Sequence, residues 1–219
     1  MNLFKNLREP MNGFTHFIGI ILSIIGTIYL IISSLNPYKL FHLIAFSIFG
    51  IGLILLYSTS TLYHWLKLSE EGTKKLRRAD HIMIFINIAA SYTPTCVIAL
   101  RGSLGLGLLI AIWSVATAGI VIKVFWMNAP RWLSTSIYLL MGWLAVFVIV
   151  PLFNVLPIAA LLWLFAGGLF FTIGAVIYAR KKPDPYPGIL GFHEIFHLFV
   201  LLGSFSHFIM MYKYIAVMD

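Results

Sequence analysis

Seven stretches of this sequence, roughly 14–35, 41–65, 81–100, 103–125, 133–152, 156–179 and 188–212, stay apolar for long enough to cross a bilayer as helices, and no charged residue interrupts their centres. That pattern predicts an all-α polytopic membrane protein, a bundle of seven transmembrane helices making one membrane domain over residues 1–219. Composition excludes the soluble alternative, because 61% of the residues are hydrophobic and only 10% charged, with a mean hydropathy of +0.97. The first run, Phe14 to Ser34, is too long for a signal-peptide core and lacks a small-residue cleavage site, so it reads as a mature span.

A net charge of +8 would suggest nucleic acid as the partner of a soluble protein. Here the basic residues lie in short loops and tails, and they are unevenly shared between the two ends of the spans. Lys5, Arg8, Lys67, Lys74, Lys75, Arg77, Arg78, Lys123, Arg131, Arg180, Lys181 and Lys182 fall on the side of the N-terminus, against Lys39, Arg101 and Lys213 on the other. The positive-inside rule then predicts a cytoplasmic N-terminus and an extracellular C-terminus. Trp65, Trp126 and Trp132 stand near the cytoplasmic ends of their spans, as interfacial anchors would. Lys67–Arg78 reads as the longest loop, with Gly72 as its turn, and KKPDPYPG at 181–188 as a Pro-rich break before the last helix. Pro94 should kink the third span.

Four spans carry polar residues at helical spacing: Asn12, His16, Ser23 and Thr27 in the first; Tyr57, Ser60 and His64 in the second; Asp80, Asn87 and Ser91 in the third; His193, His197, Ser204 and His207 in the seventh. Lipid does not tolerate such faces, so they point into the bundle. The predicted orientation brings the ends bearing His16, His64, Asp80, His193 and His197 to one leaflet. Cys96 is the only cysteine, so a metal would have to be held by histidine and carboxylate. Four residues turn a helix by about 400°, which places His193 and His197 on one face. With His64 they would supply three nitrogens and leave a fourth position open, the arrangement of a catalytic zinc site. Asp80 is placed to orient or deprotonate a water there, and Ser60, one turn before His64, to steady an oxyanion. Blander roles compete: His16 and His207 as helix–helix hydrogen bonders, His42 and His81 as interfacial residues, Asp80 as a helix cap.

These residues resemble the bacterial haemolysin III family, within the superfamily that includes the progestin and adiponectin receptors and the alkaline ceramidases. The resemblance covers nearly the whole chain and rests on Glu9-x2-Asn12-x2-Thr15-His16, Ser60-x3-His64, Asp80 and His193-x3-His197. It implies a seven-helix bundle with Zn2+ held by His64, His193 and His197, an aspartate associated with the zinc water, and kinship with lipid amide hydrolases. Glu9, Asn12 and His16 are secondary site candidates.

The run His193-Glu194-Ile195-Phe196-His197 also satisfies HExxH, the signature of zinc proteases, which makes Glu194 a further candidate and an intramembrane metalloprotease a rival reading. The longer metzincin pattern fails because Val200 stands where its glycine belongs. An Asp-Gly ligand motif in another span is absent as well.

The expectation is a plasma-membrane, zinc-dependent hydrolase of a membrane-lipid amide or ester, or a lipid-homeostasis factor. Its partners are membrane lipids rather than nucleic acid, and its oligomeric state is left open. The alternatives are a pore-forming, haemolytic protein and a receptor-like sensor with a structural zinc.

Overall fold

The computed structural model describes residues 6–127 and 129–219. Lys5 and the side chain of Arg131, both used in the charge asymmetry, lie outside the described residues. Helices α1 (Pro10–Ser33), α2 (Leu40–Trp65), α3 (Glu70–Pro94), α4 (Gly102–Phe125), α5 (Arg131–Gly142), α6 (Ile149–Val155), α7 (Ile158–Arg180) and α8 (Phe192–Met210) follow one another, with no strand among the described residues. A 3-10 turn, Trp143–Val148, joins α5 to α6, and the two make the fifth span. Among the described residues, seven helical segments are long and apolar enough to cross a membrane.

Local signals explain where the helices begin. Pro10 occupies the first turn of α1, where its missing N–H costs nothing. Of the charged stretch read as a loop over Lys67–Arg78, Lys67–Ser69 connect the helices as expected, but from Glu70 onward it is helix instead. Ser69 caps it by accepting from the Gly72 N–H at 3.2 Å, so Gly72 sits inside the first turn rather than in a bend. Glu70 and Glu71 favour the positive end of the helix dipole and pair with Lys74 at 2.6 Å and Lys75 at 2.7 Å. These local terms outweigh the polarity that suggested a loop. Asp80 consequently lies nearly three turns inside α3, so it does not cap the helix.

Two irregularities shape the interior. Beyond Pro94 the third span loosens into a π-helical turn, Thr95–Leu100, and the chain reverses through Arg101 and Gly102, both at positive φ. The fifth span is broken at Gly142 rather than continuous. Tyr92 of α3 satisfies the interrupted backbone, donating to the Gly142 carbonyl at 2.6 Å and accepting from the Ala145 N–H at 2.9 Å. Pro151 near the start of α6 offers no N–H to the preceding turn, which suits a break there.

The helices pack largely in chain order, and α8 returns against α1 and α7 to close the bundle. Helix α3 is the inner one, touching α2, α4 and α5; 67% of its most apolar window is buried, against 22% for α4. Leu30, Phe46, Phe49, Tyr57 and Leu161 fill the core. Ile21, Leu22, Ile110, Phe147 and Leu162 face outward, as lipid contact requires. Asn12, His16, Ser23, Thr27, Ser60, His64, Asn87, His197 and Ser204 are buried, so the polar stripes do turn inward. Close approach of α1 and α2 depends on Gly13: a Cβ there would fall 2.1 Å from the Trp65 ring, which lies over it and donates to the Pro10 carbonyl at 3.1 Å.

Candidate metal centre

The end of α2 and the start of α8 meet at one end of the bundle. His64 comes from the last turn of α2, and His193 and His197 from the first turns of α8. One ring nitrogen from each lies within 4.8 Å of the others. The ring centroids of His64 are 5.0 Å from those of His193 and 5.1 Å from those of His197, and the latter two are 4.6 Å apart. The start of α8 is fixed by the preceding loop: Asp184 accepts from the Phe192 N–H at 3.1 Å, and Glu194 accepts from the Gly191 N–H at 2.9 Å. Glu194 is buried and turned back toward the helix start, the position of a capping carboxylate.

The segment entering α1 wraps around this cluster. Backbone hydrogen bonds from the Arg8 N–H to the Trp65 carbonyl at 3.2 Å, and from the Glu9 N–H to the His64 carbonyl at 2.9 Å, clip it to the end of α2. The Glu9 carboxylate thereby reaches Nδ1 of His64. That hydrogen bond is the main reason the Glu9 carboxyl is held below the usual carboxylate range. Thr15 donates its hydroxyl proton to the Asn12 carbonyl at 2.8 Å, so its oxygen is free to accept. Nδ1 of His197 lies 3.0 Å from that oxygen and 3.1 Å from the Asn12 carbonyl, which assigns its proton to Nδ1. His16 stacks on His197 with ring centroids 3.6 Å apart.

In both His64 and His197, an acceptor on Nδ1 leaves Nε2 as the unprotonated nitrogen. This is the outer arrangement that orients and enriches metal-ligating imidazoles. Three imidazoles, two of them held in this way, fit a borderline cation such as zinc, which binds nitrogen donors and retains an open position in three-ligand sites. Asp80 reaches the same region from α3, with the Ser60 hydroxyl as its hydrogen-bonding partner and His64 close enough to interact electrostatically.

A cavity of about 470 Å³ opens beside the cluster, lined there by His16, Ser60, Asp80, His193 and His197. It continues along α8 as far as His207 and Met210, about 25 Å by helical rise, past Ile84, Phe171 and Val200. On α2 and α8, Tyr57 donates to Ser204 at 2.8 Å and ties the two helices together beyond the histidines.

The sequence pattern brought forward His64, His193, His197, Asp80 and Ser60, and the structure gathers all five. Glu9, Asn12 and His16 surround the histidines rather than joining the triad. His81, taken as interfacial, is interior to α3 and lines the cavity. His42 stands in the first turn of α2, the helix end expected of it, but is buried there against Phe46 rather than exposed at the interface. The role of Thr15 as acceptor for His197 was not foreseen from the residues; its place three positions after Asn12 was the available sign.

Fold and site together define a multi-pass helical membrane protein with a histidine cluster that can hold a metal ion. Residues 4–208 match the family described as haemolysin-III related, and the chain belongs to that family. It is 39% identical over 207 residues to the "Hemolysin-3 homolog" of Bacillus subtilis (strain 168), covering 94% of this chain and 93% of the relative. Identity to the "Hemolysin-3" of Bacillus cereus is 38% over 208 residues, covering 95% and 92%. A more distant human protein, "Monocyte to macrophage differentiation factor", is 27% identical over 230 residues, covering 97% and 92%.

Proposed function

We propose that the chain is a zinc-dependent hydrolase of a membrane-lipid amide or ester, set in the plasma membrane with its N-terminus and histidine cluster on the cytoplasmic side. The observation that carries this reading is the pairing of a three-imidazole cluster with Asp80 at the head of a mostly apolar cavity. Bound by His64, His193 and His197, zinc supplies a Lewis acid that polarises a carbonyl and makes water a stronger acid. The protein does the rest. Asp80 takes a proton from the attacking water and returns it to the departing amine or alcohol. Ser60 donates to the Asp80 carboxylate and orients it; once Asp80 has taken the water's proton, the Ser60 hydroxyl is released to donate to the developing oxyanion. Ile84, Phe171 and Val200 give an acyl chain a dry wall along the cavity. A site at this depth is reached from the bilayer more readily than from water.

The orientation rests on the basic end of the bundle, where Lys67, Lys74, Lys75, Arg77 and Arg78 cluster. Glu194, committed to the Gly191 N–H, is a helix cap in this reading rather than the base of a protease. A second reading, a haemolytic pore, draws support from the names of the Bacillus relatives and from the length of the cavity.

Metal content per chain, measured on detergent-purified wild type beside His193→Ala, tests the hydrolase reading first. One zinc per wild-type chain, lost in the variant, and release of fatty acid from a panel of lipid amides and esters are expected. Metal-free, well-folded wild type would overturn it.

A further inference from the structure

Lys123 belongs to none of the chemistry above. It lies near the end of α4, three residues before the exposed Trp126, where a lysine ordinarily extends its ammonium outward to water and headgroups. Lys123 does the opposite. It is 2% exposed, its Nζ donates to the Ser134 hydroxyl of α5, and it lines the same cavity that holds Asp80. Arg77 of α3 lines that cavity too and is near enough to interact electrostatically with Lys123. Among the described residues no carboxylate lies at ion-pair distance from either cation; Asp80, about one turn along α3, interacts electrostatically with Arg77, whose side chain is exposed at that end, and leaves the buried Lys123 with no anion of its own.

A buried ammonium whose partner is a neutral hydroxyl is costly, and a second cation facing it adds repulsion. An oxyanion between the two would reverse both terms, because ammonium and guanidinium groups make strong charge-assisted hydrogen bonds to phosphate. Ser134 and Thr135, both buried and both in the cavity wall, add hydroxyls at the same place.

We propose that Lys123 and Arg77, with Ser134 and Thr135, form a subsite for a phosphate-type oxyanion at the mouth of the cavity. Arg77 precedes Asp80 by about one helical turn, so an anion held there lies on the outer side of the carboxylate. The ligand this favours is an anionic amphiphile, its headgroup between the two cations and its chain in the apolar cavity beyond. The inference rests on the lipid-cavity reading above but not on metal binding or turnover.

Full-length protein in a neutral detergent, titrated with dioleoyl phosphatidate and with dioleoylglycerol and followed by native mass spectrometry, tests it. These two probes share their chains and differ in the phosphate. Wild type should bind phosphatidate at least about tenfold more tightly, the worth of a charged hydrogen bond. Lys123→Met should bring the two affinities within about twofold, Lys123→Arg should keep most of the preference, and Arg77→Gln should reduce it. Lys74→Gln, at an exposed lysine on the same end, should leave it unchanged, separating the subsite from general attraction to basic surface. His193→Ala should retain the preference, so failure of the metal reading and failure of the subsite are read separately. Competition with inorganic phosphate tells the sources apart: displacement assigns the subsite to a free anion, and its absence to a lipid headgroup. Equal affinity of wild type for both lipids would overturn the proposal. So would an undiminished preference in folded Lys123→Met, or in Arg77→Gln should the Lys123 variant fail to fold.

Discussion

Glu9, in the segment leading into α1, hydrogen-bonds through its carboxylate to Nδ1 of His64 at the end of α2, 55 positions away. The bond fixes which nitrogen of His64 faces its fellow histidines, and it ties the N-terminal segment to the cluster. His197 is held by the neutral counterpart of this arrangement, with the Asn12 carbonyl and Thr15 hydroxyl sharing its Nδ1 proton.

Removing these outer acceptors should weaken metal binding without abolishing it. Glu9→Ala is expected to lower zinc affinity by about 10–100-fold, read by competition with a chelator of known affinity. Thr15→Val should cost less, because the Asn12 carbonyl still accepts from His197.

Asp80 stands beside the cluster without being one of its three nitrogen donors. Asp80→Asn should therefore keep the zinc of wild type while lowering hydrolysis by at least about 100-fold, the scale of a lost general base. Full turnover in that variant would remove Asp80 from the mechanism.

Gly13 allows Trp65 to lie against α1 beside the end of α2 that carries His64. Gly13→Ala should force the indole away, costing about 1–3 kcal/mol as an overpacked contact does. Thermal unfolding in detergent should show a lowered midpoint, accompanied by reduced zinc retention.

Dye-loaded liposomes separate hydrolase from pore. In the hydrolase reading, purified protein causes no leakage from vesicles of saturated ether lipids, which offer no ester or amide to cleave. Leakage that persists with His64, His193 and His197 all replaced by alanine would favour the pore.

Much of this arrangement could be read from residue order alone. Hydropathy is a property of each residue's transfer from water, so the spans declare themselves wherever about 20 apolar residues run together. An odd or even count of crossings then decides which helix ends share a leaflet, and that sufficed to bring His64, Asp80, His193 and His197 together. The charged start of α3 is helical despite its polarity because capping and i,i+4 pairing act through specific neighbours, which average polarity does not register. The break at Gly142 is not legible in the sequence for a related reason: its carbonyl and the Ala145 N–H are satisfied by Tyr92, on a different helix.

By itself, then, the sequence determined the seven helices, the inward polar faces and the shared end of the histidines, all of which follow from composition and helical period. Only the tertiary structure decided what each polar side chain does there. Glu9 turns to His64, Glu194 back to Gly191, and Lys123 inward to Ser134, because in a medium without water a polar group goes to whichever partner the neighbouring backbone or helix supplies, and that partner is set by packing rather than by position in the chain.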